Sequence, residues 1–254
     1  MSAGLFDHHV HSDRSDGRRT LAERAASVSV RPHGVSDHYP FRERMRTDDD
    51  VLRYIDEARR LGLRVGIEYD LGVAPPLLPS TRDALDYLIG AVHQVWLDGE
   101  RFGFDHAGTY FKGRGRQPFA ELEKYADVSL RARVLERVLE VVRGGVEDVG
   151  IDILGHPTMS PLAALGDPEE GLPVEWQDRL VALCVGGGVA IELNEAYALP
   201  HAAFVARAER AGARFSIGSD SHGELLPLEW TERIIGESSL PAERFLTGRS
   251  VRRV

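Results

Sequence analysis

The chain has 254 residues, 43% of them hydrophobic, with 31 basic and 40 acidic side chains and a formal charge of −9. That is enough apolar chain for a sizeable core, read here as one domain over residues 1–254, and the acidic balance excludes a protein built to neutralise phosphates along a duplex. The single cysteine, Cys184, excludes a disulfide framework or a thiolate zinc site and fits a reducing compartment. Met1-Ser2-Ala3-Gly4 carries no basic leader, and no stretch approaches the roughly 18 apolar residues of a membrane span, so a cytoplasmic protein away from membranes is expected.

In chain order, short apolar runs alternate with longer helical ones. Runs at 5–10, 33–36, 64–68, 86–92, 151–155, 188–193 and 214–218 are rich in Val, Ile and Leu and read as buried parallel strands. Between them, Thr20 to Val28, Asp48 to Leu61, Ser129 to Gly144, Glu175 to Gly186 and Ala202 to Gly212 read as helices, several stopping at a glycine. This alternation predicts an α/β fold with helices outside a parallel sheet, and seven repeats favour a barrel over an open sheet. The glycine-rich stretch from about 94 to 120 reads as an irregular lid loop.

The chemistry shows at strand ends. Of ten histidines, His9, His11, His38, His93, His156 and His222 fall at or just beyond the C-terminal end of an expected strand, where barrel active sites are built. His9 and His11 are two apart, so on an extended segment both rings project from one face and can grip one metal. Carboxylates join them: Asp37 before His38, Glu68 closing Val65-Gly66-Ile67, Asp220 before His222, and Asp16 in Ser15-Asp16-Gly17. Imidazoles mixed with carboxylates suit zinc, iron or manganese. A lone histidine is more often a hydrogen-bonded core or surface residue, and His8, His33, His106 and His201 are read that way. Glu68 alone could cap a helix and Asp16 alone could hold a turn.

Asp7-His8-His9-Val10-His11-Ser12 with Ser15-Asp16-Gly17, then Val35-Ser36-Asp37-His38, Gly66-Ile67-Glu68, Ile89-Gly90-Ala91-Val92-His93, Leu154-Gly155-His156-Pro157, Ile191-Glu192-Leu193-Asn194 and Gly218-Ser219-Asp220-Ser221-His222 together resemble the polymerase-and-histidinol-phosphatase (PHP) family. The resemblance implies a single distorted (β/α)7 TIM-like barrel and two or three divalent ions that hydrolyse phosphate esters. It implies that His9, His11, Glu68 and Asp220 hold the first ion, Glu68, His93 and His156 the second, and Asp16, His38 and His222 the third, with Glu68 bridging two. Ser36-Asp37-His38-Tyr39-Pro40-Phe41 and Asp86 to His93 look most like the histidinol-phosphate phosphatase branch. Two departures stand out: many members have histidine where this chain has Asp16, and the arginine-containing stretch usual after Glu192-Leu193-Asn194 is replaced by Glu195-Ala196-Tyr197-Ala198-Leu199-Pro200.

A small phosphomonoester is therefore the expected substrate, attacked by a metal-activated hydroxide, with Asp37 or His222 assisting proton transfer. Extra contacts are expected from Lys112, Arg114 and Arg116 in the lid loop, from Arg42, Arg44 and Arg46, and from Asn194; basic residues in a glycine-rich loop are as often simply solvated. The competing readings are a nucleotide phosphatase or exonuclease of the same family, a metal-dependent amidohydrolase, and a non-catalytic metal-binding module. Oligomeric state is not legible.

Overall fold

The structure, a computed structural model, describes residues 5–104, 120–165 and 168–248. Six parallel strands form one sheet: β1 (Val35–Tyr39), β2 (Val65–Asp70), β3 (Tyr87–Ala91), β6 (Ile153–Leu154), β7 (Ala190–Asn194) and β8 (Arg214–Gly218), hydrogen-bonded in that order. β4 (Gln94–Leu97) and β5 (Glu100–Gly103) form a separate antiparallel pair. The six strands are buried almost throughout, which is why they read as continuous apolar runs rather than alternating ones.

The seventh expected strand, near the start, is an irregular stave lying between the two edge strands. On one side His8 N–H donates to Ile217 O (2.8 Å) and His11 N–H to Ser221 O (3.1 Å); on the other, Gly34 N–H donates to Asp7 O and Ser36 N–H to Val10 O, both at 2.9 Å. It thus joins β1 to β8.

Helices cover the outside: α1 (Leu21–Ser27), α2 (Asp48–Arg60), α3 (Pro79–Ala84), α4 (Val128–Gly144), α5 (Val174–Gly187), α6 (Ala202–Arg210) and α7 (Glu229–Glu237). α1 and α2 begin at capping boxes, Thr20 with Glu23 and Thr47 with Asp50, each pair satisfying backbone N–H groups that a helix start leaves open. Trp176 of α5 buries its ring and donates from Nε1 to Leu135 O of α4 at 2.9 Å, fixing the two helices against each other. Inside the sheet, Gly66 makes room for Tyr87: a Cβ there would lie 2.3 Å from the ring.

The stretch read as an irregular loop from 94 opens instead with the β4–β5 hairpin. Asp98 (φ 51°) and Gly99 (φ 81°) turn the chain, the pair of positive φ values that a two-residue hairpin turn demands. Lys112, Arg114 and Arg116 lie outside the described residues, as does His106.

Candidate metal centre

The parallel strands all point the same way, so their C-terminal ends share one rim, and the side chains singled out from the sequence meet there. His9 and His11 project together from the first stave and are fully buried. His8, between them, turns away, with Nδ1 3.2 Å from Ser216 Oγ and its ring edge-on to Tyr87 at 5.2 Å. In the strand register His38 stands beside Glu68. His156 (φ 26°) and Asp220 (φ 53°) both adopt left-handed backbone just past β6 and β8, a conformation that costs energy for a side-chain-bearing residue and recurs where a strand end must aim a functional group.

Glu68 sits at the middle, 1% exposed. Its Oε2 lies 3.3 Å from His9 Nε2, 3.5 Å from His11 Nε2 and 2.8 Å from His38 Nδ1. Its Oε1 faces a different pair, His93 Nε2 at 3.2 Å and His156 Nε2 at 2.9 Å. Around the third position, Asp16 Oδ2 is 3.2 Å from His222 Nε2 and Asp16 Oδ1 is 3.5 Å from His38 Nε2, while Asp220 Oδ1 is 3.3 Å from His11 Nε2.

These residues fit ions. Two ligands about 2.1 Å from one ion stand roughly 3.0–3.4 Å apart at octahedral to tetrahedral angles, close to the spacings above. Among the described residues, three groups have donor atoms within 4.8 Å of one another: His9, His11 and Asp220; His38, Glu68 and His93; and His11, Asp16, His38 and His222. His9 Nε2 and His11 Nε2 are buried without a hydrogen-bond partner, a costly state for polar atoms unless something electrophilic meets them. His38 sits closer to Glu68 than an exclusive place at the third ion would have it.

Charges within the cluster oppose burial. Burial disfavours a proton on His93, yet the Glu68 carboxylate raises its pKa to about 9. At His9 burial is likewise overcome, by Glu192, Glu68 and Asp220, and at His38 by Glu68 and Asp16. His11 is pushed down to about 3 by burial and by the neighbouring His222 and His38. Glu68 is held well below the usual carboxylate range, burial notwithstanding, by His38, His9 and His93. Asp16 is held low against burial by its bonds to His222 and His38. The cluster holds protons that divalent ions can replace.

Other sequence-singled residues fall at the edge of this centre. Asp37 is fully buried and accepts four hydrogen bonds, from Ser12 N (2.8 Å), Ser12 Oγ (2.7 Å), Ser15 N (3.0 Å) and Ser15 Oγ (2.6 Å), tying down the loop that carries Asp16. Asn194 donates from Nδ2 to Glu192 Oε2 (3.1 Å) and accepts from Tyr197 N–H at Oδ1 (3.1 Å). Arg42 lays its guanidinium over Phe41, 5.2 Å from the ring centroid, and Arg44 donates to the carbonyl of Asp13. His33 bonds Ser27 Oγ and Gly34 O, and His201 caps α6 through Phe204 N–H.

Four residues were not singled out from the sequence. Glu192 bonds His9; Asp70 Oδ1 lies 3.4 Å from His93 Nδ1; Tyr197 stands edge-on to His156 at 5.6 Å. The Tyr197 phenol is kept protonated by burial and by the negative charges of Asp220 and Glu68. Arg18 borders an open cavity of about 570 Å³ whose walls include Asp16, Asp220, His222, Ala196 and Leu226. Its backbone N–H donates to His222 O at 2.6 Å, anchoring it beside a candidate ligand.

Fold and centre together define a barrel scaffold with side-chain clusters able to hold several ions, and the PHP domain matches the chain over residues 7–196. The chain belongs to the PHP family. Among solved structures it is similar to a candidate histidinol phosphatase from Listeria monocytogenes, with TM-score 0.62 and 15% identity over 91% of this chain and 99% of that one. It is also similar to a histidinol phosphate phosphatase from Lactococcus lactis subsp. lactis in complex with zinc, L-histidinol and phosphate, with TM-score 0.57 and 12% identity over 98% and 97% of the two chains. No curated protein matches the sequence significantly. Among the described residues, no helix is long and apolar enough to cross a membrane.

Proposed function

We propose that the protein is a metal-dependent phosphoesterase acting on small phosphate monoesters, and that histidinol phosphate is the first substrate to test. The observation that carries this reading is Glu68: one buried carboxylate with each oxygen facing its own set of imidazoles, the arrangement that bridges two ions. Family membership and the fold shared with the two phosphatases support it.

The residues that would hold the ions are His9, His11, Glu68 and Asp220, then His93 and His156, then Asp16, His38 and His222. Divalent ions bound there would polarise the phosphoryl oxygens and lower the pKa of a coordinated water toward about 7. The chain's own residues do the rest. A phosphomonoester dianion is repelled by Asp16 and Asp220, so a cationic side chain is needed near them, and Arg18, which lines the same cavity, is the candidate to supply it. Asp37, with four accepted hydrogen bonds, anchors the 12–18 loop so that Asp16 and Arg18 stay in place. His222, a partly exposed imidazole on the cavity wall, faces Asp16 through Nε2 and sets Nδ1 on the carbonyl of Asp220, which suits a ligand of the third ion.

The test is release of inorganic phosphate from a panel of monoesters, histidinol phosphate and nucleoside monophosphates included, by metal-loaded and metal-stripped protein. Release that needs the metal is the expected result. Turnover of amides or phosphodiesters but of no monoester would replace this reading with another.

A further inference from the structure

Glu192 is a glutamate inside strand β7, in the apolar stretch Val189-Ala190-Ile191-Glu192-Leu193, and it is fully buried with no Lys or Arg paired to it among the described residues. A buried carboxylate persists only when its lone pairs are met. Here three donors meet them. His9 Nδ1 lies 2.7 Å from Oε1, His156 N–H is 2.6 Å from Oε2, and Asn194 Nδ2 is 3.1 Å from Oε2. The fold also keeps space for this group: at Gly218 a Cβ would lie 1.9 Å from Glu192 Oε1.

We propose that Glu192 is the positioning residue of the metal centre, fixing which nitrogen of His9 faces an ion and holding the turn that presents His156. The proposal rests on the metal-centre reading above. Because Oε1 only accepts, His9 must carry its hydrogen on Nδ1. Nε2 is then the nitrogen left to meet an ion, and it is Nε2 that lies 3.3 Å from Glu68 Oε2 with no hydrogen-bond partner. The other oxygen restrains the backbone N–H of His156, whose φ of 26° is a strained conformation needing outside support. One side chain on β7 thereby orients ligands from two other stretches of chain, one on each side of Glu68. Carboxylates that hold the far nitrogen of a ligating imidazole commonly matter to affinity about 10–100-fold.

Glutamine is the sharp variant, because it is nearly the same size and cannot accept at both ends. If its NH2 faces His9, the ring must place its hydrogen on Nε2 and cannot ligate there; if it faces His156, two donors confront each other. Glu192→Gln should therefore lower zinc affinity, read by competition with a chromophoric chelator, by about 10–100-fold. Glu192→Asp, shorter but still accepting at both oxygens, should recover part of that loss. In zinc-loaded wild-type protein labelled with 15N-histidine, long-range 1H–15N spectra should place the zinc on His9 Nε2 and the hydrogen on Nδ1.

Equal losses for Asp and Gln, or unchanged affinity in Gln, would show that Glu192 only fills space and would overturn the proposal. Zinc on His9 Nδ1 in the wild-type spectrum overturns it whatever the variants do, including a Gln variant that does not fold. Failure of the metal-centre reading looks different: wild-type protein itself would take up no zinc.

Discussion

A carboxylate shared between two groups of imidazoles should stand out in a substitution series. Glu68→Gln keeps the volume and removes the charge that both sides use, so its loss of metal should exceed the roughly 10–100-fold typical of an outer partner such as Asp70, and exceed that of His93→Ala or His156→Ala. Metal content by mass spectrometry after gel filtration checks this, and equal small losses across the ligands would argue against bridging. The cluster's protons give a second prediction. In metal-free protein the folded pKa of His93, about 9, lies above its ordinary 6.5, so the ring is charged at neutral pH; an ion needs it neutral. Zinc binding near neutral pH should release protons, and affinity should rise as pH climbs through that range. Calorimetry in two buffers of different ionisation enthalpy reads the release directly, and heats independent of buffer would contradict it. At the cavity wall, Arg18→Ala should raise KM for monoesters by about 10–100-fold with metal content unchanged, since a lost charge-assisted hydrogen bond is worth about 1.5–3 kcal/mol. Arg18→Lys should restore only part, because it brings charge without the paired donors.

Single elements show how much of this was legible. The paired histidines were legible because a period of two is geometrically unambiguous on an extended segment: His9 and His11 share a face and His8 does not. The strand-end histidines were legible because parallel strands end on one rim. Glu192 was legible only as part of a resemblance, although a glutamate inside Ala190-Ile191-Glu192-Leu193 signals a buried charge that must find partners. The β4–β5 hairpin was masked by the glycines around it, yet Leu97-Asp98-Gly99-Glu100 contains the Asp-Gly turn that marks such hairpins. The first stave reads as a strand and is held by isolated bridges instead, because its hydrogen bonds are split between two neighbours. Arg18 carried no pattern at all; only the folded loop brings it to the cavity that His222 lines. On α5, burial of Cys184 pushes its thiol up to about 12, so the reactive thiolate is scarce in the native state. An aromatic disulfide reagent at mildly alkaline pH should label it only when the helix comes away from the sheet, and fast labelling of folded protein would contradict that packing.

At the scale of the molecule, the candidate centre gathers its proposed ligands from the first stave, from the ends of β1, β2, β3, β6 and β8, and from the loop after the first stave. Ions bound there should stabilise the whole barrel, because the unfolded chain holds no such geometry. Zinc at about 100 times its Kd should add about 2.7 kcal/mol, which at about 2–4 °C per kcal/mol raises Tm by roughly 5–11 °C. The measurement that bears most directly on function is a metal titration of stripped protein, following phosphate release from a monoester and ions bound per chain together. Activity absent without metal, appearing as a second ion binds, and missing in Glu68→Gln is the result the Glu68-centred site requires. Phosphate release that survives complete removal of metal, or that Glu68→Gln leaves intact, would contradict it.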